Sequence, residues 1–472
     1  MTWFRGSGVP RFRGSKLRSS AALSVVVAIA VAALRATSAT PASAGDPPTF
    51  AADIAPILYA NCVVCHRPGQ AAPFSLLTYD DAKRRGKTMV AATGRRYMPP
   101  WHASRADGFP EFRDERHLGD EQIATIKQWF DAGMPSGDLA KAPAPPEFPA
   151  GWLLGAPDLV LTLPQPIDVA PDGPDQYRNV VLPIDLPDDR WITAIDFEPS
   201  ARKVLHHALF FVGPAGAPVG TDEIVPGLGG AGRRGRGAGI DAAAQTAAGL
   251  GGWVPGMTPR FYPDGIAQPL PKHSNLILQL HLHPSGKPER EQGRLALYLS
   301  PSTPAKSMTS VQVPPAFGFA MGINIPADEP HYVVKDSFVL PVALEAYGAR
   351  GHAHYLCREM KMTATLPDGS TRGLLWIKDW DFGWQDSYFY KAPFTLPKHT
   401  RIDAELVYDN SGGNPKNPNA PPKRVLWGRG SLDEMGSMSL LVTAPGGADA
   451  DLLRTAQAQH LREQVIRMMT GR

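Results

Sequence analysis

Proline and glycine constrain this chain more than anything else. The 472 residues include 48 Pro and 46 Gly, spaced without a collagen period, and beyond Gly151 they recur too often for long helices to run. Between them lie short β-type runs: Asn179 to Leu182, Trp191 to Phe197, Val204 to Val212, Asn275 to His283, Met360 to Leu366 and Gly373 to Ile377. Leu366-Pro367-Asp368-Gly369 joins two of them as a hairpin. About 290 residues is long for one sandwich. The pattern therefore predicts two antiparallel, jelly-roll-like β-sandwiches, at 157–303 and 304–446. Pro301, Ser302, Thr303 and Pro304 break the strand pattern between them. Gly213 to Gly252, rich in Gly and Ala, reads as a flexible surface insertion.

The sequence before this region has a different period. Ile54, Ile57 and Leu58 share a helical face, and Ile123, Ile126 and Phe130 mark a second amphipathic helix with Asp120 as N-cap and Gly133 as stop. An all-α domain at 45–140 is expected, followed by a Pro-rich linker at 141–156 that contains Lys-Ala-Pro-Ala-Pro-Pro-Glu-Phe-Pro. The tail at 447–472 reads as a helix.

Residues 1–44 carry six basic side chains and no acidic one, then an apolar run from Ala21 to Leu34 and Ala42-Ser43-Ala44. This has the form of a cleaved secretory signal, with an uncleaved anchor as the alternative, and it predicts an exported, periplasmic protein. Without these residues the formal charge of +3 becomes −3, which leaves no footprint for nucleic acid. No later segment is apolar enough to span a bilayer.

Cys62-Val63-Val64-Cys65-His66 is a C-x-x-C-H run. Two thiols at this spacing form thioethers with haem vinyl groups, and the adjacent imidazole ligates iron. Zinc would want a second ligand pair nearby, and the remaining cysteine, Cys357, is remote. Candidates for the second axial ligand are Met89, Met98, His102, His117 and Met134. Met98 is favoured, because Met98-Pro99-Pro100-Trp101 makes an extended loop able to carry a thioether over the haem face. The segment from Asp53 to Gly137 resembles a class I cytochrome c.

Six of the 13 histidines fall in three pairs: His206-His207, His281-x-His283 and His352-x-His354. In Asn275 to His283 the leucines alternate with Ile277, Gln279, His281 and His283, so both histidines project the same way; the same reasoning aligns Arg350, His352 and His354. Adjacent His206 and His207 point to opposite faces of a regular strand, and joint ligation by them requires a bulge. Imidazoles with one thioether suit copper cycling between Cu(I) and Cu(II), and Asp433-Glu434-Met435 supplies the methionine.

In order, Val204-Leu205-His206-His207, Leu278-Gln279-Leu280-His281, Arg350-Gly351-His352-Ala353-His354 and Asp433-Glu434-Met435 resemble the copper type II ascorbate-dependent monooxygenases, the family of peptidylglycine α-hydroxylating and dopamine β-monooxygenases. The resemblance runs from about Pro157 to Val442. It implies two linked sandwiches with one copper each, facing each other across a solvent-filled cleft. By it, His206, His207 and His281 hold an electron-transfer copper, while His352, His354 and Met435 hold the copper that binds O2 and hydroxylates a C–H bond. Arg350 matches the position of the family's carboxylate-gripping arginine; a structural salt bridge is the alternative. His283 is surplus, either an outer partner of the site or a surface group.

The chain departs from the family in two respects. With Cys62 and Cys65 committed to haem, only Cys357 remains, so the sandwiches hold by packing without the disulfides of the animal enzymes. Ser437 and Ser439 stand where the peptide hydroxylase contacts its substrate with Asn and Tyr, which argues against a peptidylglycine substrate. The implied function is hydroxylation of an unknown small organic molecule with O2. Electrons would enter through the fused haem, from ascorbate or a periplasmic redox protein. The rivals are a periplasmic electron-transfer or copper-binding protein without oxygenase activity, and a haem-tethered scaffold that has lost its copper.

Overall fold

The computed structural model describes residues 46–70, 72–148, 151–213, 220–224, 248–255, 257–263, 265–428 and 430–471. The expected secretory signal, most of the glycine-rich insertion and two linker residues lie outside them. Most of the architecture is β-structure in several sheets.

Among the described residues three α-helices precede the strands: α1 (Ala55–Asn61), α2 (Tyr79–Gly94) and α3 (Asp120–Asp131). The Thr78 side chain caps α2 by accepting from Asp81 N at 3.1 Å. The N-cap of α3 is Gly119 rather than Asp120, because the Gln122 side chain reaches back to accept from Gly119 N at 3.0 Å. Gly133, at φ +82, ends that helix as the sequence predicts. Ile54, Leu58, Val63, Leu76, Met89, Ile126 and Trp129 form the apolar core here.

This region is not the self-contained all-α unit predicted for 45–140. Beyond Met98 the chain leaves the helical core, and Trp101, Ala103 and Phe112 join the core of the second sandwich. Ala103 bridges Ile377 and Phe112 bridges Tyr390 in antiparallel β-bridges. The aromatic side chains account for this: Trp101 meets Tyr388 edge-on with centroids 5.0 Å apart, which removes a large apolar surface from water. The linker is likewise seated at both ends, with Phe148 under the Arg67 guanidinium and Trp152 and Leu154 packed against Ala194, Ala296 and Tyr298.

The first sandwich contains β1 (Leu159–Thr162), β2 (Ile167–Val169), β3 (Gln176–Pro183), β4 (Arg190–Glu198), β5 (Leu205–Gly213), β6 (Gly220–Ile224), β7 (Ala248–Trp253), β8 (Ile266–Leu270), β9 (Asn275–Leu282), β10 (Glu289–Glu291) and β11 (Arg294–Leu299). The second contains β12 (Lys306–Val313), β13 (Asn324–Ile325), β14 (Tyr332–Val339), β15 (Leu344–Ala353), β16 (Cys357–Thr365), β17 (Thr371–Ile377), β18 (Ser387–Leu396), β19 (Arg401–Tyr408), β20 (Val425–Leu426) and β21 (Gly436–Thr443).

Each sandwich has its own core. Leu276, Leu278, Leu280 and Leu282 of β9 share one core with Phe197, Phe210 and Leu297. Met360, Met362, Leu406 and Leu440 centre the other. The sheets do not divide with the cores. Ile266 and Ala267 of β8 pair in parallel with Lys306 and Ser307 of β12, so one eight-stranded sheet, β1-β11-β4-β8-β12-β21-β15-β18, crosses both sandwiches.

Two strands occupy the predicted insertion. Ala248–Trp253 pairs with β5 and Gly220–Ile224 with β3, extending the five-stranded sheet β6-β3-β9-β5-β7 at both edges. The low side-chain content that suggested a loop here lets backbone approach backbone: a Cβ on Gly252 would lie 2.6 Å from the Ala208 carbonyl oxygen. The tail forms α4 (Gly447–Thr470), pinned by buried Leu453 and by His460 and Gln464 on the Asp336 carboxylate at 2.8 and 2.7 Å.

Candidate metal centre

His206 and His207 occupy β5 and His281 lies opposite on β9. The pairing register runs Leu205 to Leu282 and then His207 to His281, so His206 is the extra residue of a β-bulge. The bulge turns both adjacent rings to one side, and their Nδ1 atoms lie 3.1 Å apart. Ligating atoms of His206, His207 and His281 all fall within 4.8 Å of one another. His281 donates from Nε2 to the Asp175 carboxylate at 2.6 Å, and its Nδ1 is buried with no partner among the described residues. Such an orphaned ring nitrogen, beside two others, fits a metal ligand. Burial and the neighbouring imidazoles hold His206 down to about 3 and His207 well below the usual histidine range, so both are neutral and able to ligate.

His352 on β15 faces Met435, which precedes β21, and His354 lies just beyond the end of β15. The His352 Nε2 lies 3.1 Å from Met435 Sδ, while its Nδ1 donates to Gln385 Oε1 at 2.6 Å. His354 donates from Nδ1 to the Asp433 carbonyl at 3.0 Å, leaving Nε2 for a metal. Burial lowers His352 to about 4 and puts His354 well below its ordinary value. The Glu434 carboxylate accepts from the backbone N–H groups of His354, Met435 and Leu356 at 2.6, 2.9 and 2.9 Å, tying the two ligand-bearing segments together. Burial raises this carboxyl to about 8.

The two sets are not held apart by the solvent-filled cleft that the resemblance implies. His207 and His352 have ring centroids 6.4 Å apart. The Phe382 ring fills the space around them, with centroid distances of 4.7 Å to His206, 5.9 Å to His281 and 5.2 Å to His354. Solvent space remains at one side, in a pocket lined by His207, Trp253, Phe317, Arg350, His352 and Ser439. Arg350 forms no ion pair with a described residue. Its guanidinium lies instead along Gly249 and Gly251 of β7, where added Cβ atoms would lie 3.8 and 3.7 Å from it. Ser437 also lines this pocket, and its hydroxyl accepts from Gln312 Nε2 at 3.1 Å. His283 lies just past β9, is exposed, and reaches Asp175 Oδ1 at 2.7 Å.

The C-x-x-C-H run forms a tight turn at the end of α1, with His66 N on the Cys62 carbonyl at 2.9 Å. His66 Nδ1 donates to the Phe74 carbonyl at 3.1 Å, which leaves Nε2 as the ligating atom, and burial keeps the ring neutral. These features fit an axial haem ligand. Met89 and Met134 pack in the helical core, whereas Met98 is only half-buried on the loop after α2 and takes no part in that core. The His117 Nε2 is buried without a hydrogen-bond partner among the described residues.

Sequence reasoning missed Asp175, Tyr177, Phe382, Gln385 and Ser431, which come from loops and strands distant in sequence. Asp175, just before β3 and its buried apolar run, offered the weak signal of an acidic residue within a strand approach.

No family model and no curated protein matches the chain. Among solved structures, a VP2 subviral particle of infectious bursal disease virus shares 10% identity at a TM-score of 0.19, over 63% of this chain and 75% of that one. PNGF-II shares 9% identity at a TM-score of 0.20, over 60% of each. Likeness at this level carries no argument about fold or function. Among the described residues no helix is long and apolar enough to cross a membrane.

Proposed function

We propose that the chain is a copper-dependent monooxygenase that hydroxylates a C–H bond of a small organic acid with O2, and that a c-type haem fused upstream is its point of electron entry. The observation that carries this reading is the convergence beside one pocket of a three-imidazole set and a set of two imidazoles with one thioether, with four of the five rings held neutral by burial. Copper bound by these sets would supply one-electron redox chemistry and O2 activation, and haem carried by Cys62, Cys65, His66 and Met98 would supply electrons.

The chain's own residues orient and select. Gln385 and the Asp433 carbonyl fix which nitrogen His352 and His354 present. Arg350, with no acidic partner among the described residues, offers a bidentate fork to a substrate carboxylate, and Trp253, Met257 and Phe317 suit an apolar body. Ser437 and Ser439 make a small polar wall in place of the peptide hydroxylase's Asn and Tyr. Hydrogen abstraction needs no strong general base, and Glu434 is fully engaged with backbone donors. The pocket beside both sets favours an enzyme over a pure electron carrier, which would shield its metals. An exported, periplasmic location suits the covalent haem, with ascorbate or a redox protein as external reductant.

The test is O2 uptake by the copper- and haem-loaded chain under ascorbate with a panel of aryl and alkyl carboxylates. Uptake that depends on a carboxylate and disappears in Met435→Ala supports the enzyme. Absence of uptake across the panel, with both metals bound, would leave the carrier.

A further inference from the structure

The Asp175 carboxylate, just before β3, is the meeting point of both sandwiches. Its Oδ2 accepts from His281 Nε2 at 2.6 Å and from Ser431 Oγ at 2.8 Å, and its Oδ1 accepts from His283 at 2.7 Å. Two residues along, Tyr177 stacks on the His281 ring with centroids 4.4 Å apart and planes 15° from parallel. The Tyr177 hydroxyl donates to Ser431 Oγ at 2.6 Å and accepts from Ser431 N at 2.8 Å. The donors and acceptors run in one consistent direction, from Tyr177 through Ser431 to Asp175.

Ser431 belongs to the other sandwich. It stands four residues before Met435 on the loop whose Asp433 carbonyl receives His354 Nδ1. One hydrogen-bonded network therefore grips a ring of the three-histidine set at one end and the loop bearing the thioether of the other set at its far end. Ser431 is 5% exposed and the Asp175 side chain 18%, so water competes weakly for these bonds.

A carboxylate that accepts from Nε2 fixes the tautomer of His281 and leaves the lone pair on Nδ1, the buried unpartnered atom beside His206 and His207. We propose that Asp175 is the positioning residue of the three-histidine centre and that Ser431 makes it common to both centres, so that the geometry of each metal site responds to the other. The proposal rests on the copper reading of the two sets. Asp175 sets the direction of the His281 lone pair. Ser431 carries any displacement of the Met435 loop to Asp175, and through it to His281, without touching a metal. His283 thereby has a role on the solvent side, as a second donor that holds Asp175 in place.

The experiment uses the full haem-bearing chain titrated with copper(II) and read by electron paramagnetic resonance and metal analysis. The signal of the three-histidine centre is first identified as the one lost in His207→Ala. Ser431→Ala removes no ligand and lies in the other sandwich. It is expected to keep both coppers and to change the hyperfine splitting of the three-histidine signal. Tyr177→Phe keeps the ring stack and is expected to move the same signal less, which guards against a folding defect in one variant. Asp175→Asn is expected to weaken copper binding at that centre about 10- to 100-fold, the range seen when an outer partner of a ligand is lost, and Asp175→Glu to restore part of it. An unchanged three-histidine signal in both Ser431→Ala and Tyr177→Phe, with both coppers bound, would overturn the coupling and leave those residues as interface packing. A wild-type chain that binds no copper would instead remove the parent reading, a result distinguishable by metal analysis alone.

Discussion

The rings of His207 and His352 lie 6.4 Å apart between centroids although each belongs to a different sandwich. The two rings are carried by different sheets, His207 on β5 of the five-stranded sheet and His352 on β15 of the eight-stranded one, whose β8 and β12 pair at the junction of the two cores. Under the proposed copper reading, electrons passing between the two sets would need no crossing of bulk solvent.

Separate loss of each set is the first consequence. His207→Ala is expected to remove copper from the three-histidine set alone, and Met435→Ala to weaken copper at the other. Metal analysis of each variant should find one copper fewer in the first and a weakened second site in the other, with haem unchanged in both.

Phe382 is 3% exposed and touches rings of both sets. Replacing it by alanine leaves a cavity among groups that cannot collapse without abandoning their hydrogen bonds. Phe382→Ala is expected to cost about 3–5 kcal/mol of unfolding free energy, measured by urea denaturation of the metal-free chain. A loss below about 1 kcal/mol would mean that the rings repack around the space.

The proposed haem ligand is open to an optical test. Met98→Ala is expected to abolish the weak far-red band of a thioether-bound ferric haem, while His117→Ala leaves it in place. The reverse result would assign the second ligand to the buried, unpartnered His117 nitrogen.

Cys357 is fully buried at the start of β16, and burial raises its thiol well above the ordinary range. At neutral pH it stays protonated, so the folded chain should resist alkylation at Cys357 on a timescale set by unfolding. Rapid labelling of that residue under native conditions would contradict the packing described.

Much of this site is legible in the order of the residues alone. The alternation in Asn275–Leu282 marks the leucine face of one core, and the need for a bulge at His206 follows from two adjacent histidines on one strand. What stays hidden comes from tertiary convergence. Asp175 and Ser431 are 256 residues apart, and no local pattern marks either as the other's partner. The glycines of Ala248–Trp253 look like a loop because strand propensity resides largely in side chains, whereas here the missing side chains allow close backbone pairing. The continuous sheet is invisible in sequence because it depends on two residue pairs at the junction. Trp101 and Phe112 read as part of the helical region, yet they bury their rings in the second sandwich, which sequence proximity cannot reveal.

The route of electrons can be followed by rapid mixing. Chemically reduced haem in the copper-loaded chain is expected to reoxidise as the cupric signals disappear, at a rate independent of protein concentration. Transfer that appears only as second-order kinetics would place the haem as a separate domain serving other partners.

The most direct test of the account is metal and haem analysis of the chain exported from a host competent in haem maturation, combined with electron paramagnetic resonance of the oxidised protein. One covalent haem and two distinct mononuclear cupric signals per chain are expected. Haem without copper, even after reconstitution, would contradict it and leave a cytochrome joined to a β-rich binding module.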